Sequence, residues 1–163
     1  MAVVRRILAA VAALAACGTL TTTAPAEAAG PGSAPGAHSG RAARAEITDI
    51  REIINQRTSE VGVYNGENRN TFAIAANNRW TGSLWIPWVG NQEEMTKSVA
   101  LAWDGAVFRY WIFQDYWNTA NQVRYSTTNS YAQSSPVPGS STGAGRKRLI
   151  VRGDGTLFLE NAS

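Results

Sequence analysis

The side chains of this 163-residue chain best suited to chemistry are aromatic rings set among amides and carboxylates. Six tryptophans fall at positions 80, 85, 88, 103, 111 and 117, and the stretch RYWIFQDYW, residues 109–117, places five aromatic rings in nine positions. A small core does not supply an acceptor for every indole N–H, so about one to three of these indoles are expected to reach solvent. Trp88, beside a proline, and Trp117, at a strand's end, lead that expectation. Asn91, Gln92, Glu93, Asp115, Asn118 and Asn121 lie near them in sequence. An exposed indole flanked by such groups suits a sugar, whose apolar C–H face stacks on the ring while its hydroxyls trade hydrogen bonds with amides and carboxylates. The candidate ligand-binding set is Trp88, Asn91, Glu93, Arg109, Trp111, Asp115 and Trp117; no catalytic residue, metal ligand or cofactor is assigned.

Other chemistries are thinner. Glu93 and Glu94 are adjacent, and Asp115 or Glu67 is placed to oppose one of them across a cleft. Glycoside hydrolysis needs two carboxyl groups about 5–5.5 Å apart for retention or about 6.5–9.5 Å for inversion, a spacing that no sequence displays. A small carboxylate-dependent glycosidase or lyase therefore stands as the alternative to a binding module. NGENRN, residues 65–70, alternates oxygen-bearing side chains but lacks the calcium-loop spacing, and a turn at Asn65-Gly66 explains it. Cys17 is the single cysteine, which rules out an internal disulfide, a zinc finger and iron–sulfur ligation. The single histidine, His38, lies in the tether-like GPGSAPGAHSGRAARAE, where no catalytic base is held rigidly. A net charge of +3 is too mild to point to nucleic acid. GRKR, residues 145–148, reads as a charged gatekeeper before an apolar strand, with phosphate, lipid head groups or acidic polymers as its other use. Exposed tryptophans plus that cluster give a third reading, a membrane- or protein-targeting domain of toxin or inhibitor type.

The elements that must position these groups begin after an export signal. MAVVRR followed by ILAAVAALAA reads as a signal peptide ending at Ala28, with Ala26-Glu27-Ala28 as the small-x-small cleavage site. The alternative is a signal over 1–16 whose lipobox, Leu14–Gly18, makes Cys17 a lipid anchor. The expected product is a secreted bacterial protein, or in the alternative a lipoprotein on the outer face of the cytoplasmic membrane, without a transmembrane span in its mature form. Residues 29–45 read as a flexible linker and 46–163 as one all-β domain, a single antiparallel sandwich or alternatively a small barrel. Its partner is expected to be a polysaccharide or another cell-envelope polymer.

Within that domain ITDIREII is ambiguous: Ile47, Ile50, Ile53 and Ile54 have helical spacing, but β-branched richness favours a strand over about 50–56, with a helical turn before it left open. VGVY, residues 61–64, predicts a strand before an Asn-Gly turn, and TFAIA predicts another. SLWIPWV carries Pro87, which marks an edge or a bulge, and GNQEEMTK predicts a helical turn or a loop. Residues 129–147 read as a long loop, and Leu149–Arg152 against Leu157–Glu160 as a closing hairpin. The clearest unit is SVALAWDGAVFRYWIF. A two-residue turn at Asp104-Gly105 sets Trp103 opposite Ala106, Leu101 opposite Phe108, Val99 opposite Tyr110 and Lys97 opposite Ile112. One face then presents Trp103, Leu101, Val99, Phe108, Tyr110 and Ile112 to the core. The other carries Ser98, Ala100 and Ala102 beside Val107, Arg109, Trp111, Phe113, Asp115 and Trp117, a trough awaiting a second layer, a loop or a ligand.

Overall fold

The computed structural model describes residues 46–105 and 107–163. The segments read as signal, lipobox and linker, with Cys17 and His38, and Ala106 lie outside the described residues. Among the described residues eleven strands form two packed sheets, an all-β sandwich. Four strands make the first sheet: β1 (Thr48–Asn55), β4 (Arg79–Trp85), β10 (Gly145–Val151) and β11 (Leu157–Asn161), in the order β11-β10-β1-β4. The second sheet runs β3 (Thr71–Ile74), β2 (Val61–Asn65), β6 (Val99–Trp103), β7 (Val107–Asp115), β8 (Val123–Ser126), β9 (Ser135–Pro136). The short β5 (Trp88–Val89) also pairs with β7. The sandwich is not purely antiparallel: β1 runs parallel to β10, and β5 parallel to β7. Among the described residues no helix is long and apolar enough to cross a membrane.

The core lies between the sheets. Ile50, Ile53, Leu149 and Leu159 from the first sheet meet Val63, Leu101, Ile112 and Val123 from the second. The isoleucine spacing of β1 now has a cause. Register slips between Ile50 and Glu52 against both neighbours: β1 holds one extra residue against β10, and β4 holds one extra against β1, so Ile50 and Ile53 point inward together. A bulged strand thus imitates a helix in its apolar spacing; the strand occupies 48–55, and residues 46 and 47, the described ones before it, form no helical turn.

The β6–β7 hairpin departs from the expected register twice. Asp104 and Gly105 take positive φ, 52° and 100°, the mirror-image turn geometry the dipeptide predicts. Pairing then resumes with Trp103 opposite Val107, and a second slip leaves Arg109 unpaired, so Ala102 faces Phe108 while Leu101 faces Tyr110. The two slips cancel in parity. Tyr110 and Ile112 keep their places toward the core, and Trp111 stays on the opposite face, paired with Ala100. Phe108 lies between the slips and is moved out of the core, 36% exposed, with its ring 6.0 Å from Trp111 and 6.2 Å from Tyr64. The trough beside the small residues is therefore occupied in part by the protein's own rings. Farther along the same face Trp111 and Tyr131 pack on a second small core of Val89, Met95 and Phe113.

GRKR does not precede its strand: it forms the first four of the seven residues of β10, beside β1, and the loop expected over 129–147 is interrupted by β9 and ends at Ala144. Lys147 is 2% exposed, and its ammonium donates to the Thr142 carbonyl at 2.9 Å and Asn161 Oδ1 at 2.6 Å. Burial lowers its pKa. Arg148 pairs with Glu52 and Glu160.

Candidate ligand-binding site

Strand β4 ends at Trp85 in the first sheet, and Trp88 already pairs in the second. The crossing is held by Ile86 N–H, which donates to the Thr48 carbonyl at 2.9 Å, and by the Pro87 carbonyl, which accepts from Gln114 N–H at 2.9 Å. A proline fits here because no ladder bond requires its missing N–H. After β5 the chain passes Gly90 and Asn91 into a 3₁₀ helix, Glu93–Lys97. Asn91 Oδ1 accepts the Glu94 N–H at 3.0 Å. The Glu94 carboxylate reaches back to Gly90 N–H at 2.8 Å and forward to the Lys97 ammonium at 2.8 Å. The Lys97 hydrogen bond and then the Gly90 N–H hold its pKa below the usual carboxylate range.

Opposite, the chain leaves β7 through Asp115, Tyr116 and Trp117. Asp115 is buried, and its Oδ1 accepts from Trp117 N–H at 3.1 Å and from the Tyr131 hydroxyl at 2.8 Å, while Arg124 lies 3.8 Å from Oδ2. Tyr116 N–H donates to the Val89 carbonyl at 3.0 Å, and the Trp117 indole N–H donates to the Gly90 carbonyl at 2.7 Å. Gly90 permits that approach: a Cβ there would sit 3.2 Å from the indole nitrogen and 3.3 Å from Tyr116 Cβ. Tyr116 stands perpendicular to both neighbouring indoles, 6.4 Å from Trp88 and 5.1 Å from Trp117. The result is a ring that is 65% exposed yet fixed in orientation at its N–H end.

These groups enclose a groove of about 390 Å³ lined by Trp88, Asn91, Glu94, Lys97, Tyr116 and Trp117, with Glu67 on its rim. The volume lies in the range of small-molecule sites. Gly66 brings Glu67 there. Its N–H donates to the Ser98 carbonyl at 3.1 Å, and a Cβ on it would meet the Thr96 carbonyl oxygen at 2.0 Å. The glycine in the Asn-Gly dipeptide thus serves close backbone approach; the left-handed residue of this turn is Arg69, φ 61°.

The seven sequence-derived residues separate. Trp88, Asn91 and Trp117 share the groove, and Glu93 is exposed on the adjacent 3₁₀ helix. Asp115 lies beneath, facing Tyr131 and the Trp117 backbone. Trp111 is half-buried against the second small core. Arg109 lines a different cavity beside Arg57, Trp103 and Asp104. The groove also enlists Gly90, Glu94, Lys97 and Tyr116, which sequence reasoning left out of the set. The usable signal was the charge pattern of Glu94 and Lys97, three residues apart. Trp85, 60% exposed, was likewise not foreseen. Among the described residues no group of three or more His, Cys, Asp or Glu side chains is arranged to hold a metal ion.

No protein-family model matches this chain, and none of the curated proteins matches it. The NMR structure of a protein from Eubacterium rectale aligns with 12% identity over 78% of this chain and 96% of that one, at a TM-score of 0.26. A likeness that loose bears on neither fold nor function.

Proposed function

We propose that this domain is a binding module for a carbohydrate or another cell-envelope polymer, exported from a bacterial cell and either released or held by a lipid at Cys17. The observation that carries the reading is Trp117, an exposed indole whose N–H is already engaged by Gly90 and whose backbone N–H is held by Asp115. A ring immobilised before the ligand arrives has little rotamer freedom left to lose on binding. Asn91, Glu94, Lys97 and Glu67 around it offer the mixed donors and acceptors that hydroxyls need. Glu94 does not fit the general acid of the alternative reading, a glycosidase, because the Lys97 ammonium and then the Gly90 N–H hold its pKa below the usual carboxylate range. A general acid requires the opposite shift.

Titration of intrinsic tryptophan fluorescence and calorimetry against soluble polysaccharides and peptidoglycan fragments test the proposal. Trp117→Ala is expected to weaken binding by about tenfold, about 1.4 kcal/mol, with only a small fall in melting temperature from the lost bond to the Gly90 carbonyl. Absence of binding by the unaltered protein across the panel would remove the proposal.

A further inference from the structure

We propose that the groove at Trp88 and Trp117 is one half of a longer cleft, and that its ligand is an uncharged glycan chain bridging to a second aromatic station at Trp85 and Trp80; this rests on the carbohydrate reading above. A second cavity, of about 340 Å³, is lined by Trp85, Trp80, Phe72, Ser83, Asn68 and Asn70, and Glu67 lines both cavities. The two are thus neighbours across the β2–β3 turn. Trp85 and Trp88 are separated by three peptide units, which limits their Cα atoms to about 11 Å apart.

The second station repeats the construction of the first. Trp85 presents an exposed ring at the end of β4. Trp80 forms a fixed wall: its ring stacks on Phe72 at 4.8 Å with 20° between planes. It also lies so close over Gly82 that a Cβ there would meet it at 2.4 Å. The turn between the stations is braced by its own side chains, Asn65 Oδ1 accepting from Glu67 N–H and Asn68 Oδ1 from Asn70 N–H, each at 3.0 Å. Both ends therefore combine a ring with amides on a rigid frame, and a single sugar fills only one of them. The charge argues for an uncharged chain. Glu67 and Glu94 are the acids here, the Lys97 ammonium is taken by Glu94, and a groove with that balance does not concentrate a polyanion.

Calorimetry of the mature protein with cello- and chito-oligosaccharides from disaccharide to hexasaccharide, and with polygalacturonate as the charged comparison, tests the bridge. Affinity is expected to rise by about tenfold or more from disaccharide to hexasaccharide as both stations engage. Trp85→Ala, at an exposed strand end, is expected to melt like the unaltered protein, keep the disaccharide affinity and lose the rise. Trp117→Ala is expected to weaken every length. A Trp85→Ala protein that retains the full rise overturns the second station, and tighter binding of polygalacturonate overturns the uncharged ligand. If the unaltered protein binds no oligosaccharide of any length, the carbohydrate reading itself falls, an outcome distinct from a Trp85 effect that fails to appear.

Discussion

The two ends of β7 carry similar side chains and put them to different uses. At the hairpin end a cavity of about 510 Å³ is lined by Arg57, Trp103, Asp104, Arg109 and Tyr110. It is larger than the groove at the far end, yet the protein's own contacts engage much of its lining. Arg57 bonds Asp104 at 2.9 Å while its guanidinium covers the Trp103 ring at 4.7 Å, and the Tyr110 hydroxyl donates to the Gly155 carbonyl at 3.0 Å. At the groove end Trp117 is bonded through its indole and backbone N–H groups and is 65% exposed. The two ends differ in how far their indoles reach solvent: Trp103, beside the larger cavity, is 7% exposed. Arg109 and Trp117, drawn onto one surface by strand alternation, stand apart: Arg109 is the third residue of β7 and lines the hairpin-end cavity, while Trp117 follows the strand's last residue by two and lines the groove.

The sharpest way to break this contrast is a pair of glycines. Gly66→Ala forces a methyl group against the backbone of the 3₁₀ helix and is expected to cost about 2–4 kcal/mol in denaturant unfolding. Gly105→Ala meets nothing within 4 Å, so only its positive φ opposes it, at about 1–2 kcal/mol. Equal costs would show that the β2–β3 turn is not wedged against the 3₁₀ helix.

Asp115→Ala comes next. It strips partners from the Tyr131 hydroxyl and the Trp117 N–H, with an expected loss of about 1–3 kcal/mol of stability and a parallel fall in glycan affinity. Asp104→Asn at the other end breaks a half-exposed ion pair while keeping a residue type that tolerates the left-handed φ, and is expected to cost at most about 1 kcal/mol, with affinity unchanged. A Tyr131→Phe comparison follows by pH. Burial first, then the bond to Asp115, pushes the Tyr131 pKa from 10.0 to about 12. The folded protein therefore keeps that proton after the unfolded chain has lost it. Its contribution is complete below pH 10 and disappears as pH rises toward about 12. Denaturant midpoints across this window should fall more steeply for the unaltered protein than for Tyr131→Phe. Smallest of all is Arg109→Ala, expected to leave calorimetric affinity within error; a loss comparable to that of Trp117→Ala would reunite the two ends.

Much of the sandwich was legible along the chain, because alternation is a local property. Tyr110 and Ile112 inward with Trp111 outward followed from a strand and its turn, and the structure keeps that parity even though the register slips twice. Phe108 was not legible, since a bulge at Arg109 alters no residue type and is decided by the neighbouring strand. Nor was the fate of GRKR, whose place in β10 depends on a parallel partner about a hundred residues earlier, β1. The groove lies between these cases. Trp88, Asn91 and Trp117 stood out by type, but their assembly required β5 to reach β7, Gly90 to admit an indole and Gly66 to admit a helix backbone.

By itself the sequence determined the strand-rich class and a number of indoles beyond what a small core satisfies. The tertiary structure alone decided which indoles reach solvent, Trp85 and Trp117, and which are buried or half-buried. That choice depends on backbone carbonyls and close approaches supplied by segments distant in the chain, and no pattern of neighbouring residues encodes those distances.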